Sequence, residues 1–381
     1  MKNEQSPVYE LIETQSDLEN FANSLRRRRV IAVDMEADSM YHYKEKVCLL
    51  QIATRESNVI IDPLKISDLS SLIPAFGRGD IQKIFHGADY DMRSLYRDFG
   101  IEVHNLFDTQ IAARFLGMQE TGLEPVLHHW LNVSLDKKYQ RKDWSQRPLS
   151  PEMLEYASRD TAYLIPLARL LEKNLKKINR LSWVQEECEL LSGVRVNAEN
   201  GAPLFLKFKG AGQFRPRNLV ILENILQVRK EFAEKKDRPA FKIFGNNVVT
   251  EIVNARPVTI RQLEKIRELS QKQIGMYGES LIKAVKDALA VQNDDLPVFP
   301  KRNIPVLSQG VPERIKKLRE WRDRRAEEMG MDPALICNKS LMTAIAAQKP
   351  RQAEALKNIE EMRQWQIQTF GEEIIRVLNG K

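Results

Sequence analysis

The sequence predicts an α/β front half, a mixed sheet flanked by helices, followed by two all-α helical bundles. Three observations predict it. Short apolar runs come first as a meander and then alternate with helical spacing up to about residue 107. After residue 212 a set of residues recurs 93 positions later. The charge also divides along the chain. Residues 1–210 carry 28 Lys and Arg against 30 Asp and Glu, the remainder 31 against 22, so net charge passes from −2 to +9. A carboxylate-rich front and a basic back suggest a catalytic domain with a polyanion-binding appendage.

In chain order, the spacing of Leu18, Phe21, Ala22 and Leu25 predicts a helix over 15–27, ending in the basic run 26–29. Val30 to Glu36 reads as a buried strand. Val47–Ala53 and Asn58–Asp62 read as two more strands, paired as a hairpin through the turn at 54–57. A helix near 67–75, a strand at Lys83–His86 broken by Gly87, a helix from Asp89 to Phe99 and a strand from Val103 to Phe107 follow. Asp108 and Thr109 cap the next helix. The pattern then reads as helical from 108 to 178. In it Ser150 and Pro151 start one long helix that carries Tyr156 and Asp160 a turn apart. Another helix is expected from Trp183 to Leu191.

Apolar content of 43% and charged content of 29% are those of an ordinary globular protein. No apolar run nears the roughly 20 residues that span a bilayer, and Met1 to Ser6 lack the apolar core of a leader sequence. Cys48, Cys188 and Cys337 form no paired framework, which fits the reducing cytoplasm, and the histidines lack zinc-ligand spacing.

Two carboxylates, Asp34 and Glu36, sit at the end of the first long strand and point to one face by its two-residue period. Adjacent carboxylates raise each other's pKa unless a cation lies between them, and hard divalent ions favour such oxygen ligands. The plain alternative is an acidic, solvated strand end. Asp91 and Asp160 lie on other elements and could join them, with Asp38, Asp89, Asp98, Asp108 and Asp143 as rivals by residue type. For any one of these, a surface or capping carboxylate is the common fate.

Asp34-x-Glu36, His86-Gly-Ala-Asp-Tyr-Asp91 and Tyr156-x-x-x-Asp160 together resemble the three motifs of the DEDD exonuclease superfamily, in its tyrosine subclass. Leu49-Leu-Gln-Ile52, Leu106-Phe-Asp-Thr-Gln110 and Asp143-Trp-Ser-Gln-Arg-Pro-Leu149 resemble stretches of the ribonuclease D family and its exosome relatives. The resemblance implies a ribonuclease-H-like fold in which Asp34, Glu36, Asp91 and Asp160 hold two Mg²⁺ or Mn²⁺ ions and Tyr156 orients the attacking water. Met35, His86, Lys137, Lys138, Trp144 and Arg147 are weaker candidates for contacting substrate. Met35 reads equally as core and His86 as a satisfied strand-end histidine. The three cations read almost equally as solvated charges, and Trp144 reads better as packing against the long helix.

Behind residue 212, Arg229, Ala233, Val248, Pro257, Leu263 and Gly278 recur as Arg322, Ala326, Leu341, Pro350, Leu356 and Gly371. Pro297, Pro300, Pro305 and Pro312 mark a stiff linker between the copies. Each copy is expected to be a bundle of four or five helices. Arg238-Pro-Ala-Phe-Lys-Ile-Phe244 resembles the HRDC module, which implies nucleic-acid binding. Lys235, Lys236, Arg238, Arg322, Arg324 and Arg325 are basic candidates, set against plain helix solvation. The expected domains are 1–210 for the exonuclease, 211–292 for the first HRDC module, 293–310 for the linker and 311–381 for the second, divergent module. The function implied is 3′→5′ trimming of structured RNA such as tRNA precursors, releasing nucleoside 5′-monophosphates, with RNA as the partner and neither membrane nor protein partner indicated. A DNA exonuclease of the same superfamily and a non-catalytic RNA-binding protein are the alternatives.

Overall fold

The computed structural model describes residues 8–196, 201–300 and 310–380. Met1 to Ser6, read above for a leader, and Pro305 of the linker lie outside the described residues. The chain forms two compact units. One comprises residues 1–37, 47–196 and 304–381, the other 38–46 and 197–303.

In the first unit six strands form one sheet, β1 (Glu10–Ile12), β2 (Val30–Ala37), β3 (Val47–Ala53), β4 (Asn58–Ile61), β5 (Gln82–Phe85) and β6 (Leu106–Asp108). Their order is β1-β4-β3-β2-β5-β6. β2, β3 and β4 pair antiparallel as the predicted meander, while β1–β4, β2–β5 and β5–β6 are parallel. β3 is buried at every position and β2 at residues 31–33, and these stretches are the apolar runs seen in the sequence. β1 is too short to have been legible, since only Ile12 of its three residues is buried.

Helices α1 (Gln15–Leu25), α2 (Ile73–Gly77), α3 (Asp89–Phe99), α4 (Thr109–Phe115), α5 (Leu123–Leu131), α6 (Pro151–Ala162), α7 (Leu164–Lys177) and α8 (Leu181–Ser192) complete the front of this unit. Three expectations need correction. The helix expected at 67–75 is a 3₁₀ turn, Ser70–Leu72, running into the short α2. The segment 108–178 is not helical throughout. Asn132 closes α5 in the left-handed region at φ 55°, and Asp136 and Asp143 then turn the chain by accepting from Lys138 N (2.9 Å) and Ser145 N (3.1 Å). The long helix is also two helices. Pro166 has no N–H to give the carbonyl four residues back, at Ala162, and α6 ends there.

The second unit holds α9 (Pro216–Lys235), α10 (Ala240–Ile243), α11 (Asn246–Ala255), α12 (Ile260–Leu263) and α13 (Gln271–Ala290). Its own core is built from residues such as Leu222, Val249, Ile252 and Leu281. The repeat appears in the first unit as α14 (Val311–Met329), α15 (Pro333–Ile336), α16 (Lys339–Gln348), a 3₁₀ turn and α17 (Gln364–Leu378). Equivalent residues make equivalent contacts in the two copies. Gln273 donates to the Ile243 carbonyl at 2.9 Å and Gln366 to that of Ile336 at 3.1 Å. A Cβ on Gly278 would lie 3.1 Å from Ile260 and one on Gly371 3.1 Å from Ala353, so both copies keep a glycine where the packing is tight.

The second copy shares one continuous apolar core with the front of the first unit. Trp365 of α17 stacks on Trp183 of α8, ring centroids 4.6 Å apart. Glu186 caps α17 from outside by accepting from Gln364 N (2.6 Å) and Trp365 N (2.9 Å), where the helix dipole favours an anion. Arg180 bridges the Phe115 and Met329 carbonyls at 2.8 and 2.7 Å.

Candidate active site

β2 carries Asp34 and Glu36 on one face, opposite Gln51 and Leu49 of β3, and its register shifts by a bulge after Glu36. Asp91 enters from the first turn of α3. That helix has no side-chain cap of its own. The buried carboxylate of Asp108 instead accepts from Gly87 N (3.0 Å), Ala88 N (2.8 Å) and Gln110 N (2.7 Å), fixing the β5–α3 turn against the start of α4. Gly87 fits this turn because its φ is +75° and a Cβ there would sit 3.2 Å from the Gln110 side chain.

Asp160 and Tyr156 come from α6, which packs across β2, β3 and β4. Ser150 caps the helix as expected, accepting from Met153 N at 3.3 Å. Asn58 fixes the other end, donating to the Ser158 carbonyl at 2.6 Å and accepting from Thr161 Oγ1 at 3.2 Å.

The result is a cavity of about 400 Å³ lined by Asp34, Met35, Glu36, Tyr156 and Asp160, with His86 and Lys137 at its wall. Asp91, 8% exposed, does not line it but is close enough to Glu36 and Asp34 to interact with both electrostatically. None of the four carboxylates has an ion-pair partner among the described residues. Burial pushes Asp34 up to about 7. Glu36 is held well above the usual carboxylate range by burial and then by Asp34, Asp160 and Asp91. Asp91 and Asp160 are raised in the same way, by burial and then by Asp34. Burial, followed by Asp160, Glu36 and Asp34, raises the Tyr156 phenol, which stays protonated at neutral pH.

Among the described residues no three His, Cys, Asp or Glu side chains close into a ready-made metal cage. The donor set itself, all carboxylate oxygen and uncompensated, fits a hard divalent ion.

The weaker candidates separate clearly. Met35 and His86 line the cavity. His86 Nδ1 lies 2.9 Å from Thr109 Oγ1, and burial lowers its pKa, so the ring is neutral. The Lys137 ammonium lies at the wall, 4.0 Å from Glu124. Lys138 lines an adjoining hollow of about 230 Å³ together with Tyr156 and Asp160.

Two candidates require correction. Trp144 is 1% exposed and packs on Cys48, Leu49, Ile60 and Ala157, which leaves no ring face for a base. Arg147 is spent inside the protein. Its guanidinium grips the buried Asp62 at 2.6 and 2.7 Å and reaches the Cys48 carbonyl at 2.9 Å, tying the segment before α6 to the sheet. In the sequence Asp62 reads only as a strand end and Asp108 only as a cap or a rival acid. Gln110, Asp136 and Gln140, also on the cavity wall, give no signal there beyond the quoted flank that contains Gln110.

The 3′-5′ exonuclease family model matches residues 9–176, and the HRDC domain model matches 218–285 and 312–378. A ribonuclease D of Bartonella henselae is 30% identical over 98% of this chain and 91% of its own length. The catalytic core of RRP6 from Trypanosoma brucei superposes with a TM-score of 0.65 at 31% identity, over 76% of this chain and 81% of that one. Escherichia coli RNase D shares the fold, with a TM-score of 0.74 at 24% identity over 98% and 99% of the two chains. With the exonuclease motifs, the paired helical modules and a relative matched along nearly its whole length, the chain belongs to the ribonuclease D family of 3′→5′ exoribonucleases.

Proposed function

We propose that the protein trims the 3′ ends of structured RNA such as tRNA precursors, in a reducing cytoplasm, and releases nucleoside 5′-monophosphates. One observation carries the reading. Four carboxylates on three elements converge with no cation of the protein to balance them, an arrangement that costs stability and that folding does not require.

Exonucleases of this superfamily depend on divalent metal ions, and Asp34, Glu36, Asp91 and Asp160 are the residues that would hold two of them. When bound, such ions polarise the attacking water and take up charge on the departing 3′ oxygen. Tyr156 works as a donor. Its raised pKa keeps the hydroxyl protonated, so it orients water rather than removing its proton. Met35 and His86 form the wall for the terminal nucleotide, the neutral His86 ring giving a flat surface without charge. Lys137 and Lys138 offer cations at the mouth for the phosphates behind it. Three free, buried cysteines suit a reducing compartment.

The test compares the parent protein with Asp34→Asn on 3′-extended tRNA, with Mg²⁺ and with EDTA, against matched single-stranded DNA. Metal-dependent release of 5′-monophosphates from RNA, lost in the variant, is the expected result. Equal digestion of DNA would overturn the RNA assignment, and binding without shortening would overturn catalysis.

A further inference from the structure

We infer that the two helical modules have divided their labour, and that a groove on the first one alone grips single-stranded RNA. The inference rests on the exoribonuclease reading for its choice of ligand. The groove, about 680 Å³, is lined by Phe208, Lys209, Phe214, Arg215, Asn218 and Arg256. This is the size of a small-ligand site and admits a nucleotide or two.

Its chemistry is one-sided. No carboxylate lines it, and among the described residues Lys209, Arg215 and Arg256 make no ion pair. The Arg256 guanidinium is held by a neutral acceptor, Asn218 Oδ1, at 2.6 Å from Nη2 and 3.1 Å from Nε, so it is oriented while its charge stays uncompensated. Two half-buried rings flank the cations, and Thr250 and Asn254 add polar groups. Cations for phosphates beside aromatic faces for bases are what a sequence-tolerant single-strand site requires. A protein ligand of acidic character would use the cations but not the paired rings.

The second copy is an internal control. Arg256 ends α11 in the left-handed region at φ 48°, and its counterpart Lys349 ends α16 at φ 46°. A cation at this corner is therefore common to both copies and is accounted for by the helix C-terminus. Two neighbouring groove positions differ, whereas Thr250 recurs as Thr343. Asn218 is replaced by Val311, 1% exposed, and Asn254 by Ala347. Arg314 crosses the corner to donate to the Ala346 carbonyl at 2.7 Å. The second copy commits its other surface to Trp183, Glu186 and Glu187 of α8. Of the basic candidates on it, Arg322 and Arg325 are paired with Asp323 (2.6 Å) and Glu373 (3.1 Å).

The test measures binding of a fluorescein-labelled oligouridylate to the full chain by anisotropy, in EDTA and over a range of salt. The variants are K209Q/R215Q, R256Q and K349Q. The first removes two cations that make no side-chain hydrogen bond among the described residues, so it keeps the fold. R256Q breaks the Asn218 contact, and its unfolding transition is read alongside. K209Q/R215Q is expected to weaken binding about tenfold and to lower the salt slope by about 1.4, roughly 0.7 for each phosphate no longer neutralised. K349Q is expected to bind as the parent does. Parent-like affinity and slope in K209Q/R215Q, or an equal loss in K349Q, would overturn the inference. Failure of the exonuclease reading would show separately, as a parent protein that leaves RNA unshortened in Mg²⁺.

Discussion

Asp34 stands directly opposite Gln51 across the β2–β3 ladder, and among the described residues the fully buried Gln51 amide has no hydrogen-bond partner at either Nε2 or Oε1. An unpaired buried polar group costs about 1–3 kcal/mol. Gln51→Leu, similar in volume, is therefore expected to raise the stability of the EDTA-treated protein by about 1 kcal/mol or more. Thermal and denaturant unfolding measure it. A fall in stability would show that the amide is satisfied in solution.

The carboxylate cluster makes the metal-free protein sensitive to pH. Asp34 is raised from 3.8 to about 7, and Glu36, Asp91 and Asp160 are raised too. Between those values the folded protein keeps protons that the unfolded chain has released, so stability falls as pH rises. In EDTA the melting temperature is expected to drop from pH 4 to 7 and beyond. Mg²⁺ should restore it increasingly over the same range, by about 2.7 kcal/mol at a hundred times its Kd. A melting temperature in EDTA that does not fall over this range would refute the shifts.

Tyr156→Phe removes a hydroxyl whose pKa burial, and then four carboxylates led by Asp160, have raised. Loss of a water-orienting donor is expected to lower kcat by about a hundredfold, with KM within about twofold. Between pH 6 and 9 the parent should show no limb from phenol ionisation. A kcat within twofold of the parent's would remove Tyr156 from the chemistry.

Arg147→Ala should act through stability rather than substrate binding. It leaves Asp62, 2% exposed, without its bidentate partner, a change worth about 3–5 kcal/mol. Unfolding in denaturant measures the change. A raised KM in a protein of unchanged stability would restore a phosphate-binding role for this residue.

The sheet's centre was legible because β2 opens with four apolar residues and β3 is apolar but for Gln51, and the motif acids because they recur in order with recognisable flanks. The segment from 132 to 150 was not legible. Its turns are made by Asp136 and Asp143 acting on their own backbone, which helical spacing does not register. Arg147 was misjudged for a related reason, while for Trp144 the packing reading was the better of the two. An aromatic and a cation beside a motif look the same in sequence whether they face a substrate or brace the helix that carries it. The repeat revealed two copies of a module but not that their partners differ, because a surface is defined by what folds onto it.

The core shared by residues 8–196 and the α14–α17 module has a consequence for synthesis. A ribosome makes the sheet first and the module last, with the other helical unit in between. Until Trp365 and Phe370 emerge, Trp183 lacks two of the rings it packs against and Phe115 lacks one. The nuclease half therefore waits, with part of its apolar surface uncovered, until α17 has been made. A nonsense codon between residues 200 and 310 would release a chain with every motif acid in place and an open flank, marked for degradation by what it has yet to bury.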